Sequence, residues 1–185
     1  MKKLLWTATI LSALLLSACG DDEAVKDNGT KVATNNENAE SKEESKGNDF
    51  YFKDNEVKIE DLKIKITDTK VIQPGEKGNE YGEKPVIAFW YDTTNLSDKD
   101  IDPITAWIAV FTAIQDNNPN SINELEMGML PDESHLDSQM ETIKKDGTVS
   151  NSIAYELDDL ETPVTLVATR GVLGDEIGKQ DYNVK

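Results

Sequence analysis

The sequence predicts an antiparallel β-sandwich over residues 50–185, preceded by a signal peptide at residues 1–18 and a linker at residues 19–49. Short apolar segments recur through residues 50–185, and several of them alternate with polar residues as half-buried strands do. Gly, Pro, Asn and Asp separate these segments with turn chemistry. The length suits one domain with one core, and the sequence contains no internal repeat.

The first strands are predicted between residues 50 and 72. Residues 50–52 are aromatic and predict an edge strand that receives the linker. Apolar residues follow one alternating phase over residues 57–59 and the opposite phase over residues 62–66. Because a one-residue shift turns side chains to the other face of a sheet, we predict a bend or bulge near Glu60-Asp61. Residues 73–75, Gln-Pro-Gly, predict a turn.

Residues 86–91 are continuously apolar and predict a central strand. One face of this strand serves the core, and the other serves a covered or functional surface. The polar, glycine-bearing residues 75–84 before it predict a mobile loop. Residues 95–100 after it have turn chemistry and end the strand.

Residues 104–114 suit either a helix that starts at Asp102-Pro103 or a buried strand. We favour a short helical turn followed by a strand that ends at Gln115-Asp116. Residues 117–136 predict a long excursion with a helical turn around residues 122–127.

The last part of the chain predicts a hairpin and three strands. Asp146-Gly147 tolerates the positive φ angles of a tight hairpin turn. Apolar residues alternate over residues 153–157 and again over residues 164–168, as in strands. A final strand is expected around residues 182–184.

Residues 1–19 have the layout of an export signal. A basic start precedes apolar residues 4–16, a stretch shorter than the roughly 20 residues that span a bilayer. The following Leu16-Ser17-Ala18-Cys19 resembles the lipobox of bacterial lipoproteins. By that resemblance, signal peptidase recognises Leu16, Ser17 and Ala18, and Cys19 carries a covalent diacylglycerol as the first mature residue. We therefore expect a lipid anchor on the extracellular face of the cell membrane.

Residues 20–49 are polar and acidic, and they predict a disordered tether with a reach of roughly 30 Å. The whole chain has 36 acidic and 19 basic residues, a net charge of −17. Such acidity favours solubility and repels nucleic acid. Since the sequence also has no basic stripe, we expect no nucleic-acid partner.

Catalytic groups are sparse. The single histidine, His135, follows Ser134 and lies near Asp132 and Asp137, which suggests a hydrolytic set. A triad needs side chains that converge from fixed positions, and the sequence has no Gly-x-Ser-x-Gly elbow. We therefore expect a solvated loop here and no catalytic residues.

Asp98, Asp100 and Asp102 place three carboxylates at alternate positions and are candidate calcium ligands. An EF-hand is excluded, because its glycine and final carboxylate positions hold Pro103 and Ala109. An irregular calcium loop and a solvated turn both remain open, and we prefer the turn. We expect no other cofactor.

Aromatic residues can fill a sandwich core or line a ligand groove. They concentrate in the central part of the chain, and we expect them to form the core. The residues concerned are Phe89, Trp90, Trp107, Phe111 and Tyr155.

Residues 91–95, Tyr-Asp-Thr-Thr-Asn, with residues 97–101 and Pro103, resemble a family of Gram-positive lipoproteins with an extracellular domain of unknown function. Residues 136–139, then 146–147 and 154–157, extend the match in the expected order, and the resemblance covers residues 50–185. It implies an immunoglobulin-like sandwich and no activity.

These observations predict a lipid-anchored cell-surface lipoprotein that presents a non-enzymatic immunoglobulin-like interaction module. Its expected partner is another extracellular or envelope protein. A calcium-binding or small-ligand-binding lipoprotein is the alternative, and a hydrolase that uses Ser134 and His135 is the third possibility.

Overall fold

The structure is a computed structural model that describes residues 50–185. It contains eight strands: β1 Tyr51–Lys53, β2 Glu56–Lys58, β3 Leu62–Ile72, β4 Val86–Asn95, β5 Phe111–Gln115, β6 Thr148–Glu156, β7 Val164–Thr169 and β8 Glu176–Tyr182. They form an antiparallel five-stranded sheet in the order β1-β2-β3-β4-β6 and an antiparallel three-stranded sheet in the order β5-β7-β8. The signal peptide, the lipobox and the linker lie outside the described residues.

The strand order is that of an immunoglobulin domain. Strands β3, β4 and β6 are neighbours, as strands A, B and E are, and β5, β7 and β8 are neighbours, as C, F and G are. Side chains from both inner faces form one main core. The predicted immunoglobulin-like antiparallel sandwich is therefore confirmed.

A bend occupies residues 60 and 61, as predicted, and it is the turn of a hairpin. The chain reverses near Glu60, and Val57 pairs with Ile64 in an antiparallel hairpin. A bulge occurs later, between Ile66 and Asp68, within β3. An inserted residue and a chain reversal both change the apolar phase, so periodicity alone does not separate them.

The segment after β4 confirms the predicted helical turn followed by a strand. Helix α1, Pro103–Val110, starts at Asp102, whose carboxylate accepts a hydrogen bond from the Thr105 N–H at 2.9 Å. Strand β5 begins at the next residue and ends at Gln115, as expected. No helix among residues 50–185 is long and apolar enough to cross a membrane.

The helical turn predicted around residues 122–127 is wrong, because this segment is extended. The Leu125 N–H donates to the Ala113 carbonyl at 2.9 Å, at the edge of the second sheet. The Glu156 N–H donates to the Glu126 carbonyl at 2.9 Å, at the edge of the first. The segment thus covers one edge of each sheet, which limits edge-to-edge association. A short 3-10 helix, Glu133–His135, follows.

The Asp146-Gly147 turn is present, but it joins no pair of strands. Asp146 has a φ of 60°, and the Gly147 N–H donates to the Lys144 carbonyl at 2.8 Å. The residues before the turn contact the loop after β4 instead, where the Ile143 N–H donates to the Ile101 carbonyl at 2.8 Å. The hairpin expectation was wrong, although the turn itself was correctly placed. The last strand, β8, begins earlier than predicted.

The main core is aromatic and centres on Trp107. This side chain is 0% exposed, and its indole N–H donates to the Tyr155 hydroxyl at 2.8 Å. Its ring lies 4.4 Å from that of Tyr91 and 4.6 Å from that of Phe111, in tilted contacts. Phe89 is also fully buried. The core expectation is therefore confirmed for all the named aromatics except Trp90, which lies on the outer face of the first sheet.

Candidate functional site

A groove of about 540 Å³ crosses the outer face of the second sheet, and we call it the outer groove. Its floor consists of two rows of side chains paired across β5, β7 and β8, because alternate residues of a strand face away from the core. The rows are Ile114, Thr165 and Asp181, and Thr112, Val167 and Lys179. Four further residues complete the lining: Asp116, Ile122, Glu124 and Glu176.

The outer groove is acidic. Four of its lining residues are carboxylates, Asp116, Glu124, Glu176 and Asp181, and one is an ammonium, Lys179. Within residues 50–185 none of these five side chains forms an ion pair. Asp181 accepts a hydrogen bond from the Thr165 hydroxyl at 2.6 Å, which fixes its position across the strands. The groove therefore presents net negative charge to solvent.

The floor of the outer groove is partly apolar. Ile114 and Val167 are half-buried on neighbouring strands, and Ile122, beside β5, is 76% exposed. Apolar surface bordered by like charges is suited to a partner with aliphatic side chains and groups of the opposite charge. The lining contains no histidine or cysteine. The apolar floor and the surrounding carboxylates are therefore suited to binding a partner of this kind.

The sequence interpretation did not identify the outer groove. Its residues come from three strands and a loop that are distant in the sequence, so no motif links them. One local signal was available: Val167 is apolar although it lies between the inward-facing Leu166 and Ala168. An apolar residue in the outward phase of a strand indicates a covered or binding face.

The outer face of the first sheet is covered. Ile72, Val86, Ala88 and Ala154 form a second small apolar cluster, with Trp90 packed against it. The Trp90 indole N–H donates to the Asp132 carboxylate at 3.1 Å. This hydrogen bond fixes the segment around Asp132 against the outer face of the first sheet. The second face of the predicted central strand is therefore a covered surface.

Ser134 and His135 do not form a hydrogen-bonded pair. The Ser134 hydroxyl donates to the Asp132 carboxylate at 2.6 Å, whereas His135 Nδ1 lies 2.9 Å from the Ser152 hydroxyl oxygen. Hydrogen bonds from Ser134 and from the Trp90 indole lower the pKa of Asp132 to about 2. Asp132 thus serves as an anchor between a loop and a sheet.

The three candidate calcium ligands, Asp98, Asp100 and Asp102, share no common partner among the described residues. Asp98 pairs with Lys145 at 3.1 Å, and the Asp102 carboxylate caps α1. Asp100 is exposed. Across residues 50–185 no group of three or more His, Cys, Asp or Glu side chains is placed to hold a metal ion. Calcium binding by these residues stays a prediction.

Asn95, in the motif that carries the family resemblance, has a structural role. It is 1% exposed, and its amide donates to the carbonyls of Lys99 and Ile143, each at 2.8 Å. Its side-chain oxygen accepts a hydrogen bond from the Ser97 N–H at 2.8 Å. Asn95 therefore fixes the loop after β4 against the segment before β6.

Taken with its surfaces, the fold defines an immunoglobulin-like sandwich domain with a groove suited to binding. Residues 36–170 match the model of a family described as a domain of unknown function, DUF5067. The chain belongs to this family, and the membership confirms the resemblance recognised in the sequence. No curated protein sequence matches significantly.

Two solved structures share this fold. One is described as a candidate lipoprotein from Staphylococcus aureus, with 20% identity and a TM-score of 0.61. The match covers 74% of this chain and 92% of the Staphylococcus aureus chain. The other is a protein from Enterococcus faecalis, with 17% identity and a TM-score of 0.54. The match covers 73% of this chain and 93% of the Enterococcus faecalis chain. Neither these structures nor the family indicates an enzymatic activity. The two structures show the same fold, and the family assigns the chain a domain of unknown function.

Proposed function

We propose that the protein is a lipid-anchored cell-surface lipoprotein whose sandwich domain is a non-enzymatic interaction module. The observation that carries this proposal is the outer groove, with its apolar floor and four carboxylates. The partner is an extracellular or envelope protein that presents a cationic, partly apolar segment. Aliphatic side chains of that segment contact Ile114 and Val167, and its Lys or Arg side chains pair with the surrounding acids.

The proposed anchor is the diacylglycerol on Cys19, after cleavage behind Leu16, Ser17 and Ala18. Two acyl chains hold a protein stably on a membrane, whereas one does so only marginally. The candidate lipoprotein from Staphylococcus aureus has the same fold, which supports this assignment. The tether, residues 20–49, then limits partners to the neighbourhood of the outer membrane face.

The non-enzymatic part of the proposal is supported by the positions of the only candidate catalytic groups. His135 contacts Ser152 instead of Ser134, and the Ser134 hydroxyl contacts Asp132. A nucleophile needs a base within hydrogen-bond reach, and Ser134 lacks that contact with His135. Ser152 has the contact, but it is 0% exposed, so its hydroxyl is not accessible to a substrate.

Titration with a defined peptide tests the proposed partner chemistry. A peptide of alternating Lys and Val is added to isotope-labelled protein, and amide chemical shifts are followed by NMR. We expect shifts concentrated on β5, β7 and β8, and no response to a peptide of alternating Glu and Val. Shifts spread evenly over the acidic surface would contradict the proposal.

Charge reversal separates the groove from the overall acidity of the protein. Glu124→Lys with Glu176→Lys should weaken binding by at least about tenfold, because two rim charges change sign. Glu133→Lys with Asp137→Lys makes the same change in net charge outside the groove lining and serves as the matched control. Equal losses in both variants would show that the groove is not the binding site.

A further inference from the structure

The loop between β7 and β8 exposes two aliphatic side chains at its tip. Leu173 is 100% exposed and Val172 is 80% exposed, the most exposed pair of adjacent large apolar residues among those described. The loop is closed by its own backbone, since the Arg170 N–H donates to the Asp175 carbonyl at 3.0 Å. Gly171, with a φ of 82°, provides the reversal that a residue with a side chain rarely adopts. The fold thus holds both side chains out in solvent.

The tip lies at the end of the domain where the tether arrives. The guanidinium of Arg170 lies 4.3 Å from the centre of the Phe50 ring, and it pairs with Glu60. Phe50 is the first described residue, so the loop is adjacent to the point where residues 19–49 join the domain. A tether that leads to a membrane anchor therefore keeps this loop within the reach of the tether, roughly 30 Å, of the membrane.

Ion pairs offset part of the acidity of the surface beside the tip. Arg170 pairs with Glu60, Lys99 pairs with Asp61 at 2.6 Å, and Lys145 pairs with Asp98 at 3.1 Å. Each of these pairs joins a residue in a loop at this end to a neighbouring acid. Asp100, Asp102, Asp175 and Glu176 are acids at or beside this end that form no ion pair among the described residues. Pairing reduces the repulsion between this end and anionic lipid headgroups.

Apolar surface continues from the tip toward helix α1. A cavity of about 270 Å³ lies between the loop and the helix, and Ile59, Ala109 and Val172 are among its lining residues. Ile108, the neighbour of Ala109 in the chain, is 51% exposed. Interfacial membrane contacts use such small apolar protrusions, which enter the headgroup region while charged groups around them stay hydrated.

We propose that Val172 and Leu173 insert into the interfacial region of the bilayer to which the chain is anchored. The inference rests on the lipid anchor of the proposed function. Two side chains are too few to hold a free domain on a membrane, but a tether confines the tip near the surface at an effective concentration on the order of millimolar. Insertion then orients the domain, with the β7–β8 loop facing the membrane.

Fluorescence quenching on vesicles tests this inference. The mature chain from Cys19 has one cysteine, so it can be coupled at Cys19 to a maleimide lipid in phosphatidylcholine vesicles with or without brominated acyl chains. Leu173→Trp places a reporter at the tip, and Ile122→Trp places a matched reporter at another highly exposed site. The emission of the native Trp90 and Trp107, measured on the unsubstituted chain, is subtracted from both. We expect brominated lipid to quench the Leu173→Trp emission by about twofold, because a tethered apolar tip spends on the order of half its time inserted.

Equal quenching of the two reporters, or none, would overturn the inference. Val172→Ser in the Leu173→Trp background should reduce quenching, because it removes part of the inserted apolar surface. If the tip contacts a second copy of the chain, its role is self-association and the inference is wrong. That outcome would appear as concentration-dependent quenching of the Leu173→Trp emission by a labelled second copy, without any lipid effect.

The chemical tether also separates this inference from the anchor proposal. Coupling to the maleimide lipid supplies the membrane attachment whether or not cells acylate Cys19. Labelling of cells with a radioactive fatty acid, with Cys19→Ala as control, tests acylation by itself. Each proposal can therefore fail while the other stands.

Discussion

Single buried polar side chains hold the loops of this domain in place, and Asn95 is the clearest of them. Its amide is the donor for two backbone carbonyls that belong to separate loops. Gln115 is 0% exposed and fixes the loop between β6 and β7. Its amide donates to the carbonyls of Asp159 and Thr162 at 3.1 and 2.8 Å. Buried polar groups of this kind fix loop geometry because the alternative is an unpaired carbonyl.

Asn95→Ala should lower the free energy of unfolding by roughly 2–4 kcal/mol, since two carbonyls lose a buried donor. Urea denaturation measures the change. Asn183→Ala, at an exposed residue, is the control and should stay within about 0.5 kcal/mol of the wild type. A similar small effect at both positions would refute the structural role of Asn95.

Removal of the polar group of Thr93, unlike that of Asn95, should stabilise the domain. Its side chain is 0% exposed, and its hydroxyl oxygen has no hydrogen-bond partner among the described residues. Thr93→Val should therefore raise stability by about 1 kcal/mol, because it replaces an unpaired buried hydroxyl with a methyl group of similar size. Thr94→Val is the control, since the Thr94 hydroxyl lies 2.9 Å from that of Thr148 and the change removes this contact. Destabilisation by Thr93→Val would contradict the assignment.

Asp132 makes the domain sensitive to acid. Its pKa is about 2 in the folded protein against an ordinary value of 3.8, so the unfolded chain binds a proton first as the pH falls. The stabilisation is complete above about pH 4 and is lost as the pH falls toward 2. Thermal melting from pH 7 to pH 2 should show a smaller decrease in Tm for Asp132→Asn than for the wild type. An unchanged decrease would exclude this contribution.

At the scale of elements, the extended segment after β5 closes one side of the sandwich. Leu125 is the buried residue of this segment, and its backbone pairs with the edge of the second sheet. Leu125→Ala should cost about 2–5 kcal/mol of stability through the cavity it leaves. Met127→Ala, at a side chain that is 53% exposed in the same segment, should cost much less. Urea denaturation compares them, and equal losses would show that the segment is not packed as described.

Most elements followed from the sequence because their signals are local. A continuous apolar run located β4, and alternating apolar residues located β7. Asp102-Pro103 marked the start of α1, since capping depends on neighbouring residues. The segment around residues 122–127 failed because Ile122 and Leu125 have helical spacing, whereas its hydrogen-bond partners are sheet edges supplied by tertiary structure. The outer groove could not be predicted, because strand pairing assembles it from distant residues.

At the scale of the whole molecule, the proposed membrane anchor and the outer groove belong to one chain. The sequence predicts a lipid at Cys19 and a tether, and the sandwich provides a groove on its second sheet, away from the covered face of the first. While the β7–β8 loop is not inserted, an anchored domain with a long tether samples many orientations, so it can bring an acidic groove to a cationic partner that lies near the membrane. This combination is the basis on which we propose an interaction module.

Photocrosslinking on intact cells tests that claim most directly. A photoreactive residue at Ile122, at the groove, is compared with one at Tyr81, which is 83% exposed and outside the groove lining. We expect a crosslink from position 122 to a basic, partly apolar segment of an envelope protein. Glu124→Lys with Glu176→Lys should abolish that crosslink, whereas Glu133→Lys with Asp137→Lys should leave it in place. The same capture from both positions, or capture that survives reversal of the groove charges, would contradict that claim.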